Sequence, residues 1–296
     1  MTNSYWTAVV VNYESGEHLE RCVRSLLADT SAAGPPTVVV VDNGSTDGSV
    51  AGVERGLPNV TILRPGENVG YSGAANLGIA RTDAQVIAVC NADLTVREGT
   101  AAAMLARFAL EADVAAVGPR IRNPDGSVYP SARSVPRVRD AVGHGLLGLV
   151  WRTNPFTRRY RQLDADPNVP RDVDWVSGAA VWLRRDALTA VDGWDEGYFM
   201  YVEDVDLCWR LRKAGWRIKY DPGGEVTHVQ GVSASQHPYR MIAEHHRSLF
   251  RFARKRWRGP RRLLLLPAAA FLTVRAGLAM AEHALRRRPK LPKVNE

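Results

Sequence analysis

The chain has 296 residues, 45% of them hydrophobic and 24% charged, and carries a net charge of +8. That is enough apolar material to bury a full core as one large domain or a domain plus an appendage. Its three cysteines, Cys22, Cys90 and Cys208, are odd in number, far apart and in no CxxC spacing, which excludes a disulfide framework and points to reduced thiols in a cytoplasmic protein. Met1-Thr-Asn-Ser leads into Ala8 to Val11 with neither a basic n-region nor a cleavage site, which argues against a secretory signal.

In chain order, Thr7 to Val11 is a β-branched run that predicts a buried strand, and Leu19, Cys22, Val23, Leu26 and Leu27 share one face of the helix after it. Thr37 to Val41 predicts a second strand, closed by the turn and N-cap formers Asp42-Asn-Gly-Ser-Thr-Asp47. A third strand falls at Val60 to Leu63 and a fourth at Ala84 to Cys90, after a helix from about Gly73 to Arg81. A helix at about Gly99 to Ala112 leads into a strand at Val114 to Gly118. Continuous apolar strands alternating with helices predict an α/β fold: a mostly parallel central sheet flanked by helices, Rossmann-like and suited to a nucleotide.

Ligands of such sheets sit at the carboxyl ends of the strands. Asn12-Tyr13, Asp42-Asn43 and Asn91-Ala-Asp93 all fall there. Asp42 with Gly44 and Asp47 reads either as an ordinary βα turn or as a carboxylate that accepts from a nucleobase N–H and helps select a pyrimidine. The stretch from Asn68 through Gly70, Gly73 and Asn76 to Gly78 is glycine-rich and opens a helix, so its backbone is expected to approach a ligand. Asn91-Ala-Asp93 ends a buried strand with a hard oxygen ligand, where Mg2+ or Mn2+ would bridge a diphosphate.

Further on, Glu203, Asp204 and Asp206 put three carboxylates within four positions at the mouth of an amphipathic helix marked by Leu207, Leu211 and Ala214. Acidic residues suit the positive end of a helix, yet capping needs one carboxylate. The surplus behind Tyr198, Phe199 and Tyr201 suggests a pocket in which one carboxylate takes a proton and others orient it. Arg210, one turn beyond Asp206, is expected to hold a carboxylate rather than touch substrate. Trp175, Trp194 and Tyr198 read as core aromatics or as stacking faces for a sugar.

The positive charge is concentrated at the end of the chain. From Arg247 onward there are 14 Lys and Arg against 2 Asp and Glu, a net of +12, which leaves −4 for residues 1–246. Arg254-Lys-Arg-Trp-Arg258 and Arg261-Arg262 precede an apolar run from Leu263 to Val274, and Arg286-Arg-Arg288 follows. Interrupted by Pro267 and ended by Arg275, that run is expected to be too short for a span, which needs about 20 residues. It suits a segment lying in the interface with its cations on an anionic membrane surface, and no nucleic-acid-binding motif accompanies it.

Taken together, Val9-Val-Val-Asn12-Tyr13, Val41 to Asp47, the Asn68 to Gly78 loop, Asn91-Ala-Asp93, Gly178 to Arg185, Gly193-Trp-Asp195-Glu196, Glu203-Asp204 and Glu225-Val-Thr-His228 resemble the inverting GT-A glycosyltransferases of family 2. Pro124 to Arg133, Arg152 to Gln162 and Ala243 to Ser248 are similar to segments of its rhamnosyltransferases. The resemblance implies a GT-A domain over residues 1–246, and the charge and apolar run beyond it predict a basic amphipathic helical tail over 247–296 that holds the enzyme peripherally on the inner face of the cell membrane. It implies dTDP-β-L-rhamnose as donor and the 3-hydroxyl of a polyprenyl-diphospho-N-acetylglucosamine as acceptor, in cell-wall linker synthesis, with an α-linkage formed by inversion. Asp204 is then the base, with Glu203 and Asp206 orienting it or raising its pKa. Asn12, Tyr13, Asp42, Asn43, Gly70, Asn76 and Asn91 hold the donor, and Asp93 holds the metal. Many members have Asp-x-Asp where this chain has Asn91-Ala-Asp93, so the metal is expected to need His228 as a second ligand; His228 also reads as a strand-end histidine satisfied by a carbonyl. Two other functions compete: a family 2 transferase with another nucleotide sugar or acceptor, and a non-catalytic scaffold recruited to membranes by its tail. The presence of Asp42, Asp93 and Asp204 together counts against the scaffold.

Overall fold

A computed structural model describes residues 5–29, 34–135, 138–148, 151, 153–231 and 236–286. Of the residues discussed above, Met1 to Ser4, Arg152, Arg287 and Arg288 lie outside these. The chain forms two compact units, Met1–Gln236 and His237–Glu296. The helix Pro238–Arg256 runs unbroken through 246/247.

The first unit opens with β1 (Trp6–Asn12), α1 (His18–Ala28), β2 (Thr37–Asp42), α2 (Ser49–Gly56), β3 (Thr61–Leu63), α3 (Gly70–Ile79) and β4 (Val86–Asn91). There follow β5 (Leu94–Val96), α4 (Thr100–Leu110), β6 (Val114–Arg122), β7 (Val128–Tyr129), β8 (Ala132–Arg133), α5 (Val138–Leu147) and α6 (Pro155–Arg161). The last elements are β9 (Arg171–Asp172), β10 (Trp175–Val176), β11 (Ala180–Arg184), α7 (Arg185–Thr189), α8 (Glu203–Lys213) and β12 (Arg217–His228). Every strand expected from the apolar runs is present.

The large sheet has the order β3-β2-β1-β4-β11-β6-β12-β5. Its β3-β2-β1-β4 half is parallel, whereas β11 runs antiparallel to β4 and β6. Strand order reverses at β1, so the carboxyl ends of β1, β2 and β4 open a crevice. Register sets Asn12 opposite Asp42 and Val11 opposite Asn91, which brings three of the sequence-predicted polar ends to one edge.

Both faces of the sheet are covered, which is why its strands read as unbroken apolar runs. Trp6, Ala8 and Val10 pack with Leu19, Cys22, Val23 and Leu26 of α1. Val9, Val11, Val39 and Val41 pack on the other side with Ala74 and Ala75 of α3 and Leu207 and Leu211 of α8. Small residues let α3 lie close to the sheet: a Cβ added at Gly78 would collide with Cγ1 of Val9 and lie 3.1 Å from Cγ2 of Val41.

The second unit contains α9 (Pro238–Arg256), a 3-10 turn (Gly259–Leu264) and α10 (Leu265–Arg286). Here the expected apolar run is corrected. Pro267 lies in the first turn of α10, where its missing N–H breaks no helical hydrogen bond, and the helix continues through Arg275 for 22 residues in all. By length and composition the stretch Gly259–Leu285, which includes most of α10, is long and apolar enough to cross a membrane, as a run of 12 residues is not.

The packing of α3 yields the first prediction. Gly78→Ala should lower stability by about 1–3 kcal/mol, the usual cost of forcing a methyl group into a filled core, measured as a lower urea midpoint with an unchanged m-value.

Candidate active site

At the crevice, the strand ends are joined by hydrogen bonds. Asn12 is fully buried, and its Nδ2 donates to Asp42 Oδ1 at 3.1 Å, Ser45 Oγ at 3.1 Å and Ser49 Oγ at 3.0 Å. Its Oδ1 accepts from the Ser15 hydroxyl. Asp42 Oδ1 also accepts from the Ser45 N–H at 3.3 Å, and Oδ2 lies 3.9 Å from Arg64 Nε. Asn12 therefore orients Asp42, and Oδ2 is the oxygen left to accept from a ligand. Tyr13 follows at the strand end, half-buried.

Three residues assigned to the donor have other work. The Asn43 amide donates to Asn68 Oδ1 at 3.0 Å and to the Gly70 carbonyl at 3.2 Å, and its Oδ1 accepts from the Val69 N–H at 2.9 Å. It ties down the loop before α3. Gly70 has φ +78°, and a Cβ there would lie 2.7 Å from the Phe199 carbonyl oxygen, to which the Tyr71 N–H donates at 2.8 Å. The glycine admits another stretch of backbone at close range. Asn76 donates to the Trp194 carbonyl and to Glu196, both at 2.9 Å, and accepts from the Trp194 N–H at 3.0 Å. Both ends of its amide fix the Gly193 to Glu196 turn. Trp175, Trp194 and Tyr198, 4%, 2% and 1% exposed, belong to the core.

Beside the crevice, β5 and β12 pair antiparallel with His228 opposite Leu94. His228 Nε2 lies 3.0 Å from Asp93 Oδ1 and 3.3 Å from Asn91 Nδ2. The backbone register that pairs the strands thus also brings together the two proposed ligands. Among the described residues no group of three or more His, Cys, Asp or Glu side chains converges as a cation cage. One carboxylate oxygen and one imidazole nitrogen, both nearly buried, fit an ion that takes its other ligands from phosphate oxygens and water.

The third group is the start of α8. Tyr201 (φ +67°) and Val202 (φ +70°) are consecutive left-handed residues, a conformation rare outside glycine and costly for a β-branched side chain. They turn the chain so that Glu203 and Asp204 begin the helix. Asp204 is half-buried, its Oδ2 accepting from the Gly178 N–H at 2.9 Å and its Oδ1 from the Val205 N–H at 2.8 Å. Burial pushes its carboxyl up, against the opposing pull of those N–H groups and of the Arg133 guanidinium. Glu203 is buried, with Oε2 lacking a hydrogen-bond partner among the described residues. Burial, and then the neighbouring Asp204 charge, raise its pKa well above the usual carboxylate range.

Asp206 does not join this pair. It is fully buried, 2.6 Å from Arg210 Nε, and accepts from the Tyr198 hydroxyl at 3.3 Å. Arg210 in turn donates to the Val191 and Gly193 carbonyls at 2.5 and 2.7 Å. As expected, Arg210 holds a carboxylate; Asp206 locks the turn before α8 and is not the group that perturbs Asp204.

One residue that sequence reasoning left without a role is Arg133. β8 pairs it with Trp175 of β10, and its Cζ lies 4.9 Å from the Trp175 ring, 5.3 Å from Tyr129 and 5.6 Å from Tyr160. Its nitrogens donate to the Pro130 carbonyl at 2.7 Å and the Tyr129 hydroxyl at 2.6 Å. The available signal was the Tyr129 to Arg133 spacing; the aromatic cage is assembled from distant segments.

Carboxylates at the strand ends and at the start of α8 are the kinds of group that a group-transferring enzyme uses. The glycosyl transferase family 2 sequence model matches residues 7–189. The chain is 39% identical over 292 residues to the N-acetylglucosaminyl-diphospho-decaprenol L-rhamnosyltransferase of Mycobacterium tuberculosis, covering 94% of this chain and 91% of that protein. The mannosyltransferase PcManGT from Pyrobaculum calidifontis, solved with GDP-Man and Mn2+, aligns with a TM-score of 0.58 and 18% identity over 97% of this chain and 76% of that one. GalNAc-T7, solved with UDP, GalNAc and Mn2+, aligns with a TM-score of 0.58 and 18% identity over 75% of this chain and 43% of that one. The chain belongs to glycosyl transferase family 2. It is a glycosyltransferase with a GT-A fold.

Glu203 also carries a stability consequence. A carboxyl whose folded pKa lies above its unfolded value of about 4.3 binds more protons in the native state, so stability falls as pH rises between the two values. Glu203→Gln removes that loss. Its Tm at pH 7.5 should exceed wild type, by about 2–4 °C for each kcal/mol relieved, and the gap should narrow as the pH is lowered to 5 in a calorimetric series.

Proposed function

We propose that the chain transfers L-rhamnose from dTDP-β-L-rhamnose to the 3-hydroxyl of a polyprenyl-diphospho-N-acetylglucosamine, with inversion at the sugar carbon. The observation that carries this reading is the 39% identity to the mycobacterial rhamnosyltransferase, which runs through nearly the full length of both chains. Asp42 accepts from the thymine N–H through Oδ2, and Asn12 fixes its orientation. Asp93 and His228 would hold a divalent cation, Mg2+ or Mn2+, which supplies charge neutralisation for the leaving diphosphate.

Asp204 is the general base. As the acceptor oxygen bonds to the sugar carbon and the carbon–oxygen bond to the diphosphate breaks, the hydroxyl proton passes to the carboxylate. The Gly178 N–H holds that carboxylate in place. Arg133 is a positioning residue: its charge favours the ionised form that burial opposes. The lipid-linked acceptor puts the enzyme at a membrane, with the catalytic unit on the cytoplasmic side, and α10 with the cations from Arg254 to Arg262 holds it there.

Purified full-length protein should turn over dTDP-rhamnose with a short-chain polyprenyl-diphospho-N-acetylglucosamine and leave UDP-sugars untouched; activity with a UDP-sugar alone would sink the donor assignment. Asp204→Asn should lose roughly two to four orders of magnitude in kcat while still binding donor, and near-normal turnover would pass the base to Glu203. Arg133→Gln should move the acid limb of the kcat profile to higher pH, because Asp204 then loses the cation that favours its ionised form.

The metal has its own test. Asp93→Ala should abolish the stimulation of transfer by Mg2+ or Mn2+, and His228→Ala should raise the metal concentration needed for half-maximal rate. Activity that survives EDTA would remove the cation from the mechanism.

A further inference from the structure

Residues 131–164 contain seven arginines and two aspartates, a net of +5, within residues 1–246 whose net charge is −4. The described part of this stretch includes α5 and α6, which pack against each other: a Cβ at Gly143 would run into the ring of Phe156, and His144 Nδ1 lies 2.8 Å from Thr157 Oγ1. The outer side of α5 is apolar. Val142, Leu146 and Leu147 are 39%, 51% and 38% exposed, and Trp151 just beyond is 53% exposed. Around them stand Arg139, Arg158 and Arg159, half to two-thirds exposed, with Asp140 and Asp164 as their acidic neighbours. A water-facing helix side normally carries polar residues, and leucines with a tryptophan rimmed by arginines are the composition of a segment seated at a bilayer interface.

We propose that α5 and Trp151 form a second membrane contact, built into the catalytic unit itself and separate from the C-terminal helix. The occupant is an anionic lipid surface: the apolar side chains enter the acyl boundary while Arg139, Arg158 and Arg159, three cations against Asp140 and Asp164, meet headgroups. Position gives the contact a use, which rests on the function proposed above. Tyr160 of α6 packs against Arg133, and the Ser134 N–H donates to its carbonyl at 3.1 Å. A bilayer held at α5 therefore lies beside the Arg133 cage and the base, where a lipid-linked hydroxyl has to arrive.

The test uses the full chain. Cys22, Cys90 and Cys208 are buried, so Leu146→Cys offers one accessible thiol for an environment-sensitive dye, and Leu110→Cys, at a site 76% exposed on α4, serves as the control. Vesicles of phosphatidylglycerol and phosphatidylcholine, free of donor and acceptor, should shift the dye at 146 to the blue and allow quenching by acyl-chain nitroxides. The dye at 110 should not respond, even though the C-terminal helix brings both proteins to the vesicle. Arg139→Gln with Arg158→Gln should raise the lipid needed for half-response at 146 on the order of fivefold to tenfold. Absence of quenching at 146, or equal quenching at 110, overturns the proposal. A blue shift that follows protein concentration without vesicles overturns it too, and assigns the patch to a second copy. Because no substrate is present, these outcomes do not depend on the transfer reaction.

Discussion

Keeping two adjacent carboxylates out of water is the constraint around which the site is arranged. Glu203 and Asp204 start one helix, and burial raises the pKa of each. A buried carboxylate is costly unless donors or cations compensate it. Asp204 has such compensation in two backbone N–H groups and the nearby Arg133, whereas Glu203 Oε2 has none among the described residues. Together with the left-handed Tyr201 and Val202, the pair is a local loss of stability maintained by its surroundings, as is common where a site must act on a proton.

Those surroundings are ties between segments far apart in sequence. The Tyr71 hydroxyl donates to the Gly178 carbonyl at 2.6 Å, while the Gly178 N–H donates to Asp204. One residue thus connects α3 to Asp204. The Tyr71 N–H meets the Phe199 carbonyl because Gly70 leaves room for it, and Asn76 and Arg210 secure the Gly193 turn from opposite sides. Glycine-rich sequence at the head of α3 is therefore used to bring protein backbone close to protein backbone.

These ties explain what could and could not be read in advance. Strand ends are legible because hydrophobic period and turn chemistry are local, and register then places Asn12, Asp42 and Asn91 side by side without further information. The pairing of His228 with Asp93 required only that the Glu225 to His228 stretch be a strand beside Leu94 to Val96. That Asn43 and Asn76 also tie loops was not legible, because an amide that ties a loop and an amide that binds a ligand have the same sequence signal. The cage around Arg133 was hidden because its rings come from β7, α6 and β10, and no local pattern specifies which aromatic meets which cation. The length of α10 was misjudged for a local reason: Pro267 reads as a break, but in a first turn it is a start.

For α10, length and charge point to different placements. Its 22 residues span about 33 Å, close to the hydrocarbon thickness of about 30 Å. Its flanks are both cationic: Arg254, Lys255, Arg256, Arg258, Arg261 and Arg262 precede it, and Arg286, Arg287, Arg288, Lys290 and Lys293 end or follow it. A spanning helix would carry one of these clusters to the outer side, against the bias that keeps Lys and Arg on the cytoplasmic side, and would bury Arg275 near mid-bilayer at a cost of about 2.5–3.5 kcal/mol. A helix lying in the plane of the inner leaflet keeps both clusters and Arg275 on anionic headgroups. The charge pattern of the C-terminal unit therefore favours the in-plane arrangement for α10.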